Sequence, residues 1–154
     1  MNYWVNIHHP QALNESRNSQ CRVYVQQRSR KLPSAGDKVF IYETGALSGE
    51  TVILEDEKGR HKVKLGKGAK GLIALVEIVG NLRKHEHIWN GTPYIGSYNT
   101  KEIETRRKVV KLEEINASYS NLGIPHSFNP RTYTGLRILD KDEIKVLSKL
   151  IGVR

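Results

Sequence analysis

The sequence predicts an α+β fold: a small barrel-like sheet of about five to seven strands with flanking helices and a C-terminal helix. Three observations predict it. Gly36-Asp37-Lys38-Val39-Phe40-Ile41-Tyr42 joins a turn signal to a strand. Upstream lies an aromatic strand, Tyr3-Trp4-Val5-Asn6-Ile7, closed by His8-His9-Pro10. Downstream lies a second glycine-led apolar run, Gly71 to Val79.

Tyr3 to Ile7 reads as a buried strand with Trp4 in the core, and Gln11 to Arg17 as one or two helical turns. Cys21 to Val25 alternates loosely and reads as a second strand. Pro33-Ser34-Ala35-Gly36-Asp37 is a turn, because proline presets φ and glycine permits a positive φ. Lys38 to Glu43 then places Val39 and Ile41 on one face and Phe40 and Tyr42 on the other, a strand covered on both sides. Thr51 to Leu54 and His61 to Leu65 flank Glu55 to Arg60, the pattern of a β-hairpin within a 44–70 insertion. Gly66 to Lys70 reads as a flexible basic connector and Gly71 to Val79 as a central strand. Ile88 to Tyr98 is aromatic and punctuated by glycine, and Thr105 to Leu112 alternates as another strand. Asp140 with Glu143 forms a capping-box pattern, Ile144, Leu147, Leu150 and Ile151 share a helical face, and Gly152 stops the helix. No repeat and no long linker divides residues 1–154, which read as one domain.

Of the 154 residues 38% are hydrophobic, enough for one core and too many for a disordered chain. No apolar segment is long enough to span a membrane, and the N-terminus lacks the pattern of a signal peptide. The Asn-x-Ser/Thr matches at Asn14, Asn90 and Asn116 are then coincidental. The single Cys21 excludes an internal disulfide, and the expected location is cytoplasmic. The net charge of +9 favours a polyanionic partner.

Catalytic and metal chemistry find little support. Gly66-Lys67-Gly68-Ala69-Lys70-Gly71 has the outer glycines of a phosphate loop, but Leu72 and Ile73 replace its lysine and hydroxyl residue. His85-x-His87 could offer two ligands from one strand face, yet no further ligand accompanies it, and a solvated basic loop is the plainer reading. His8-His9 has no nucleophile signature beside it. No catalytic residue, metal or cofactor is assigned.

Nucleic-acid signals are stronger. Arg28, Arg30 and Lys31 form one basic cluster, Lys58 through Lys70 (including Lys67) a second, and Arg106, Arg107 and Lys108 a third. Each can neutralise phosphates and release counterions. For Lys62 and Lys64 a solvated edge strand is the better explanation of the charge. Trp89, in a polar glycine-bearing loop, offers a stacking face worth about 1–3 kcal/mol per base. Tyr24 and Tyr42 fit either a core or a rim.

In order and spacing these features resemble the EVE domain of the PUA-like superfamily, which is related to the YTH domain. The resemblance rests on Tyr3 to Ile7 with Pro10, on Ala35 to Tyr42, on Gly71 to Ile78 and on the helix after Leu139-Asp140. It extends to the EVE domains of modification-dependent restriction endonucleases. It implies a barrel that recognises a modified cytosine or adenine, taken into an aromatic and polar pocket by flipping or from a single strand. By position, the pocket residues are Asn6, His8, Gln20, Arg22, Tyr24 and Tyr42. An aromatic wall expected near Gln20-Cys21 is missing, so that Trp89 or Phe128 would supply it. Arg28, Arg30, Lys31, Lys67, Lys70, Arg106 and Arg107 are the implied phosphate contacts. The implied partner is nucleic acid, with DNA favoured over RNA, in a restriction or defence setting with any nuclease on another chain. RNA binding and an enzyme acting on nucleotides or bases are the alternatives.

Overall fold

Two layers of apolar residues alternate along β1 (Tyr3–His8) and β3 (Lys38–Glu43), and this alternation organises the molecule. The computed structural model describes residues 1–10, 12, 22–131 and 135–152, with the side chains of residues 106 and 107 left out. The other elements are β2 (Val23–Gln26), β4 (Thr51–Asp56), β5 (Gly59–Lys64), β6 (Gly71–Trp89), β7 (Thr92–Lys111), α1 (Leu112–Asn121), β8 (Leu136–Ile138) and α2 (Lys141–Ile151). The α+β expectation holds, with eight strands among the described residues in one sheet. Its order is β2-β7-β6-β3-β1-β8, and β4 and β5 extend from the far end of β6.

β1 and β3 run parallel, with Tyr3 opposite Lys38 and Ile7 opposite Tyr42. Successive side chains of a strand point to opposite faces. Phe40 and Tyr42 therefore join Val5 and Leu72 in a core completed by Ile115 and Tyr119 of α1 and Val146, Leu147 and Ile151 of α2. Val39 and Ile41 join Trp4, Val23, Val25, Ala74, Val76 and Tyr98 in a second core within the curl of the sheet. Covering β3 on both sides is what its uninterrupted apolar run requires.

Trp4 is 3% exposed, and its indole Nε1 donates to Asp37 Oδ2 at 3.0 Å. Asp37 also accepts from the backbone N–H of Asn2 and of Ser34, each at 3.0 Å. Burial raises the Asp37 pKa, but these three donors outweigh it and hold the carboxyl below the usual range. The turn before β3 is thus tied to the start of β1. Gly36, with φ of 92°, supplies the left-handed step.

The hairpin expected within 44–70 is β4–β5, tighter than anticipated: Asp56 pairs with Gly59 across Glu57-Lys58. Lys62 and Lys64 are exposed on β5, an edge strand. β6 continues ten residues beyond the expected end at Val79, and β7 begins at Thr92, so Ile88 to Tyr98 holds a strand end, a turn and a strand. The turn is Asn90-Gly91, with φ of 47° and 85°. Both values are positive, as a two-residue hairpin of matching twist needs. Register shifts near Leu72, Leu75, Val79 and Lys84 bend this long pair, which lets one ribbon serve both the central sheet and an outlying arm.

α1 was not anticipated. Lys111 at its N-cap makes no side-chain capping bond, so no start signal marks it. α2 matches expectation: Asp140 and Glu143 form the capping box, and Gly152 ends the helix with φ of 92°. Glu143 is buried yet paired, accepting from Arg137 at 2.9 Å and from the Tyr119 hydroxyl at 2.9 Å. The helical turns expected at Gln11 to Arg17 lie outside the described residues, Ala12 apart, which bridges Leu65.

Candidate functional site

One face of β1 changes character along its length. Trp4, Asn6 and His8 share that face: the first is core, whereas Asn6 and His8 line an open cleft of about 1060 Å³. Its other walls come from Arg22 and Tyr24 at β2, from Leu54, Asp56, Glu57, Lys58 and Val63 of the β4–β5 hairpin, and from Lys84 to His87, Trp89 and Tyr94 on the β6–β7 arm.

Asn6 is 1% exposed. Its Nδ2 donates to Gly135 O at 2.6 Å and weakly to Tyr24 O at 3.4 Å. Two carbonyls on that side orient the amide, so Oδ1 is the acceptor facing away from them. Oδ1 has no hydrogen-bond partner among the described residues, and neither does His8 Nδ1. Burial, reinforced by neighbouring His9, pushes the His8 pKa down from 6.5 to about 4. The imidazole is therefore neutral at physiological pH, and the inner end of the cleft carries polar but uncharged groups. A buried polar atom without a partner costs roughly 1–3 kcal/mol, a deficit that a bound ligand can relieve.

Aromatic rings line the rest. His85 and His87 stack at 5.1 Å, and His87 stacks on Tyr94 at 5.1 Å with 6° between planes. Tyr24 meets His85, His87 and Tyr94 edge-on and lies 6.0 Å from His8. His9 hydrogen-bonds the Tyr94 hydroxyl at 3.1 Å and lies 6.0 Å from Trp89. Burial lowers the His85 pKa, with His87, Arg22 and Arg83 adding to the shift. Arg22, Arg83 and Lys84 thus gather at the His85 end. Asp56, Glu57 and Glu86 also line the cleft and balance Arg22, Lys58 and Lys84. The positive excess of the chain therefore lies outside the lining.

Of the eight residues expected at a base pocket, Asn6, His8, Arg22, Tyr24 and Trp89 come together here. Tyr42 does not: pleat alternation turns it with Phe40 into the core beneath the helices, 5.4 Å from the Phe128 ring. Phe128 is 1% exposed in that core, and its backbone is held by both ends of the Asn116 amide, so it supplies no wall of the cleft. Gln20 lies outside the described residues. Trp89 is the last residue of β6 rather than a loop residue, and His85 and His87 are strand residues rather than a solvated loop. Among the expected phosphate contacts, Arg28 borders a smaller pocket of about 310 Å³ beside Gly91, Thr92 and Pro93, with its Nε on Gln26 Oε1 at 3.1 Å. Arg30 and Lys31 are exposed between β2 and β3. Lys67 and Lys70 lie between β5 and β6 and do not line the cleft; the Lys70 side chain folds over Gly45. Arg106 and Arg107 are on β7, with side chains outside the described set.

Sequence reasoning missed His9, His85, His87, Tyr94, Lys58 and Lys84 as cleft residues. The signal was available: Asn90-Gly91 marks a hairpin, and the alternation of His85, His87 and Trp89 before it has strand period. Among the described residues, His126, Asp140 and Glu143 bring potential ligand atoms within 4.8 Å of one another. Asp140 caps α2 and Arg137 holds Glu143 bidentately, so both carboxylates are already engaged.

No family model matches the chain, and no curated protein sequence matches it. Its structure resembles human THYN1 protein, solved in complex with 5-methylcytosine-containing DNA, with a TM-score of 0.57 over 100% of this chain and 99% of that one, at 9% sequence identity. The chain has the fold of that protein, in keeping with the PUA-like fold that the sequence resemblance implied. In that fold the cleft opens beside the C-terminal half of β1, where the sequence resemblance implied a pocket.

Proposed function

We infer that this chain binds nucleic acid and reads a modified base, a cytosine or adenine in DNA, at the Asn6–His8 end of the cleft. The observation that carries the reading is a pair of buried polar atoms, Asn6 Oδ1 and His8 Nδ1, that have no hydrogen-bond partner among the described residues, in a cleft walled by Tyr24 and His85. An uncharged, ring-lined recess suits a base, and the cations at the His85 end suit its flanking phosphates. The likeness in fold to THYN1 bound to 5-methylcytosine DNA supports the same class of ligand. A methyl group is a small signal in an open groove. Enclosing the base lets its whole edge be read, at an unpairing cost on the order of a few kcal/mol when the base is flipped from a duplex.

The test is fluorescence anisotropy with matched oligonucleotides, in DNA and in RNA, carrying unmodified, 5-methyl or 5-hydroxymethyl cytosine or N6-methyladenine. One modification is expected to bind tighter than its parent base, and DNA tighter than RNA. Equal affinity across the panel refutes the reader role.

A further inference from the structure

The cleft is larger than one base needs. Pockets for whole drug-sized ligands span roughly 300–1,000 Å³, and this one is about 1060 Å³. Its rings also extend well beyond the inner end. Asn6 donates to the Tyr24 carbonyl, and the Tyr24 ring lies 6.0 Å from His8 and 6.3 Å from His85, whereas Trp89 lies four residues along β6 from His85, up to ~13 Å away at strand rise. Trp89 is half-buried and belongs to neither core. The β4–β5 hairpin closes this outer end: Leu54 pairs with Trp89 in the ladder, and Lys58 stands at the hairpin tip.

Resting on the reading that the cleft holds nucleic acid, we propose that its outer end is a second base subsite. Trp89 and His9 stack the base adjacent to the one held at Asn6, and the ligand is an unpaired strand with at least two neighbouring nucleotides exposed. Each base withdrawn from a duplex costs unpairing free energy, so a site that takes two in succession favours a strand that is already single. The two ends divide the work. Asn6 and His8 present directional polar atoms and read an edge. Trp89 presents a ring face, which every base can stack upon whatever its identity.

Intrinsic fluorescence separates the two tryptophans. Trp4 is buried with its indole on Asp37, so a stacked base quenches Trp89 alone. The probe is an oligothymidylate with one central 5-methylcytosine, used single-stranded and annealed to its complement. The single strand is expected to quench Trp89 and to bind at least about tenfold tighter than the duplex, and Trp89→Ala to weaken single-strand binding about tenfold. Trp89→Phe, which keeps a ring, is expected to retain most of the affinity and guards against a folding defect. Duplex affinity equal to or above that of the single strand, or unchanged single-strand affinity in a folded Trp89→Ala, overturns the second subsite. Repeating the titration without the 5-methyl group separates the two readings. A methyl preference that survives those results leaves the inner reader standing, whereas no binding to either form overturns both.

Discussion

Lowering the pH from about 7.5 to about 5 is expected to remove roughly 2 kcal/mol of stability through His8 alone. His8 ends β1 and is 9% exposed, with its pKa pushed from 6.5 to about 4 by burial and then by His9. The unfolded chain takes up a proton near the ordinary value, and the folded chain does not until near the lowered one. Between these values the unfolded state binds more protons, so stability falls as pH falls. The contribution is fully present above about pH 6.5 and is exhausted near pH 4, at a slope approaching about 1.4 kcal/mol per pH unit.

Other groups titrate too, and the assay must isolate His8. His9 and His85 also have lowered pKa values and shift stability in the same direction. Asp37 is held below the usual carboxylate range, so its contribution is lost only at more acid pH. The measurement is therefore a difference: urea unfolding of wild type and His8→Gln at both pH values. Wild type is expected to lose about 2 kcal/mol more than the variant. Equal losses, within the roughly 0.5 kcal/mol expected of a neutral surface change, would mean that water reaches the imidazole. The uncharged inner end would then be wrong.

Two further outcomes test the division between core and cleft. Phe128→Ala is expected to destabilise by about 3–5 kcal/mol in denaturant titration, because the ring fills a closed core beside Tyr42 and Tyr119, while oligonucleotide affinity per folded molecule stays unchanged. Arg22→Ala is expected to weaken binding to all sequences alike and to reduce the slope of log affinity against log salt by about 0.7 on a single strand, measured by anisotropy across a salt series.

What could be read from the residues follows the physics of each segment. Gly36 to Tyr42 and Asp140 to Gly152 were legible because turn chemistry, alternation and capping all agree there, and the structure follows them. β6 was legible only to Val79, because the residues beyond it are mostly polar and His85-x-His87 reads as a solvated loop. It stays a strand through pairing with β7, and its inward groups are histidines facing a cleft rather than aliphatic residues facing a core. α1 begins without a cap, so nothing local announces it. Tyr42 and Phe128 were misplaced for a different reason. Which face of a doubly covered strand meets the helices and which meets the curl depends on tertiary packing, and a run that is apolar on both faces does not say.

The charge of the chain and the chemistry of the cleft act in different places, and that separation shapes what the proposed reader can do. The cleft lining balances three basic residues with three acidic ones, so the excess of +9 lies elsewhere. On the proposed reading, phosphate attraction comes from the cations near His85, Arg22, Arg83 and Lys84, and from the charge outside the cleft, and depends on salt without depending on sequence. Recognition comes from neutral groups inside, whose hydrogen bonds and stacking are little screened. Carboxylates at Asp56 and Glu57 oppose phosphates near the hairpin tip, whereas Arg22, Arg83 and Lys84 attract them at the His85 end. On the proposed reading a strand is held by its backbone at the His85 end and by its bases along the ring-lined wall. Raising salt should lower its affinity while sparing its preference for one base over another.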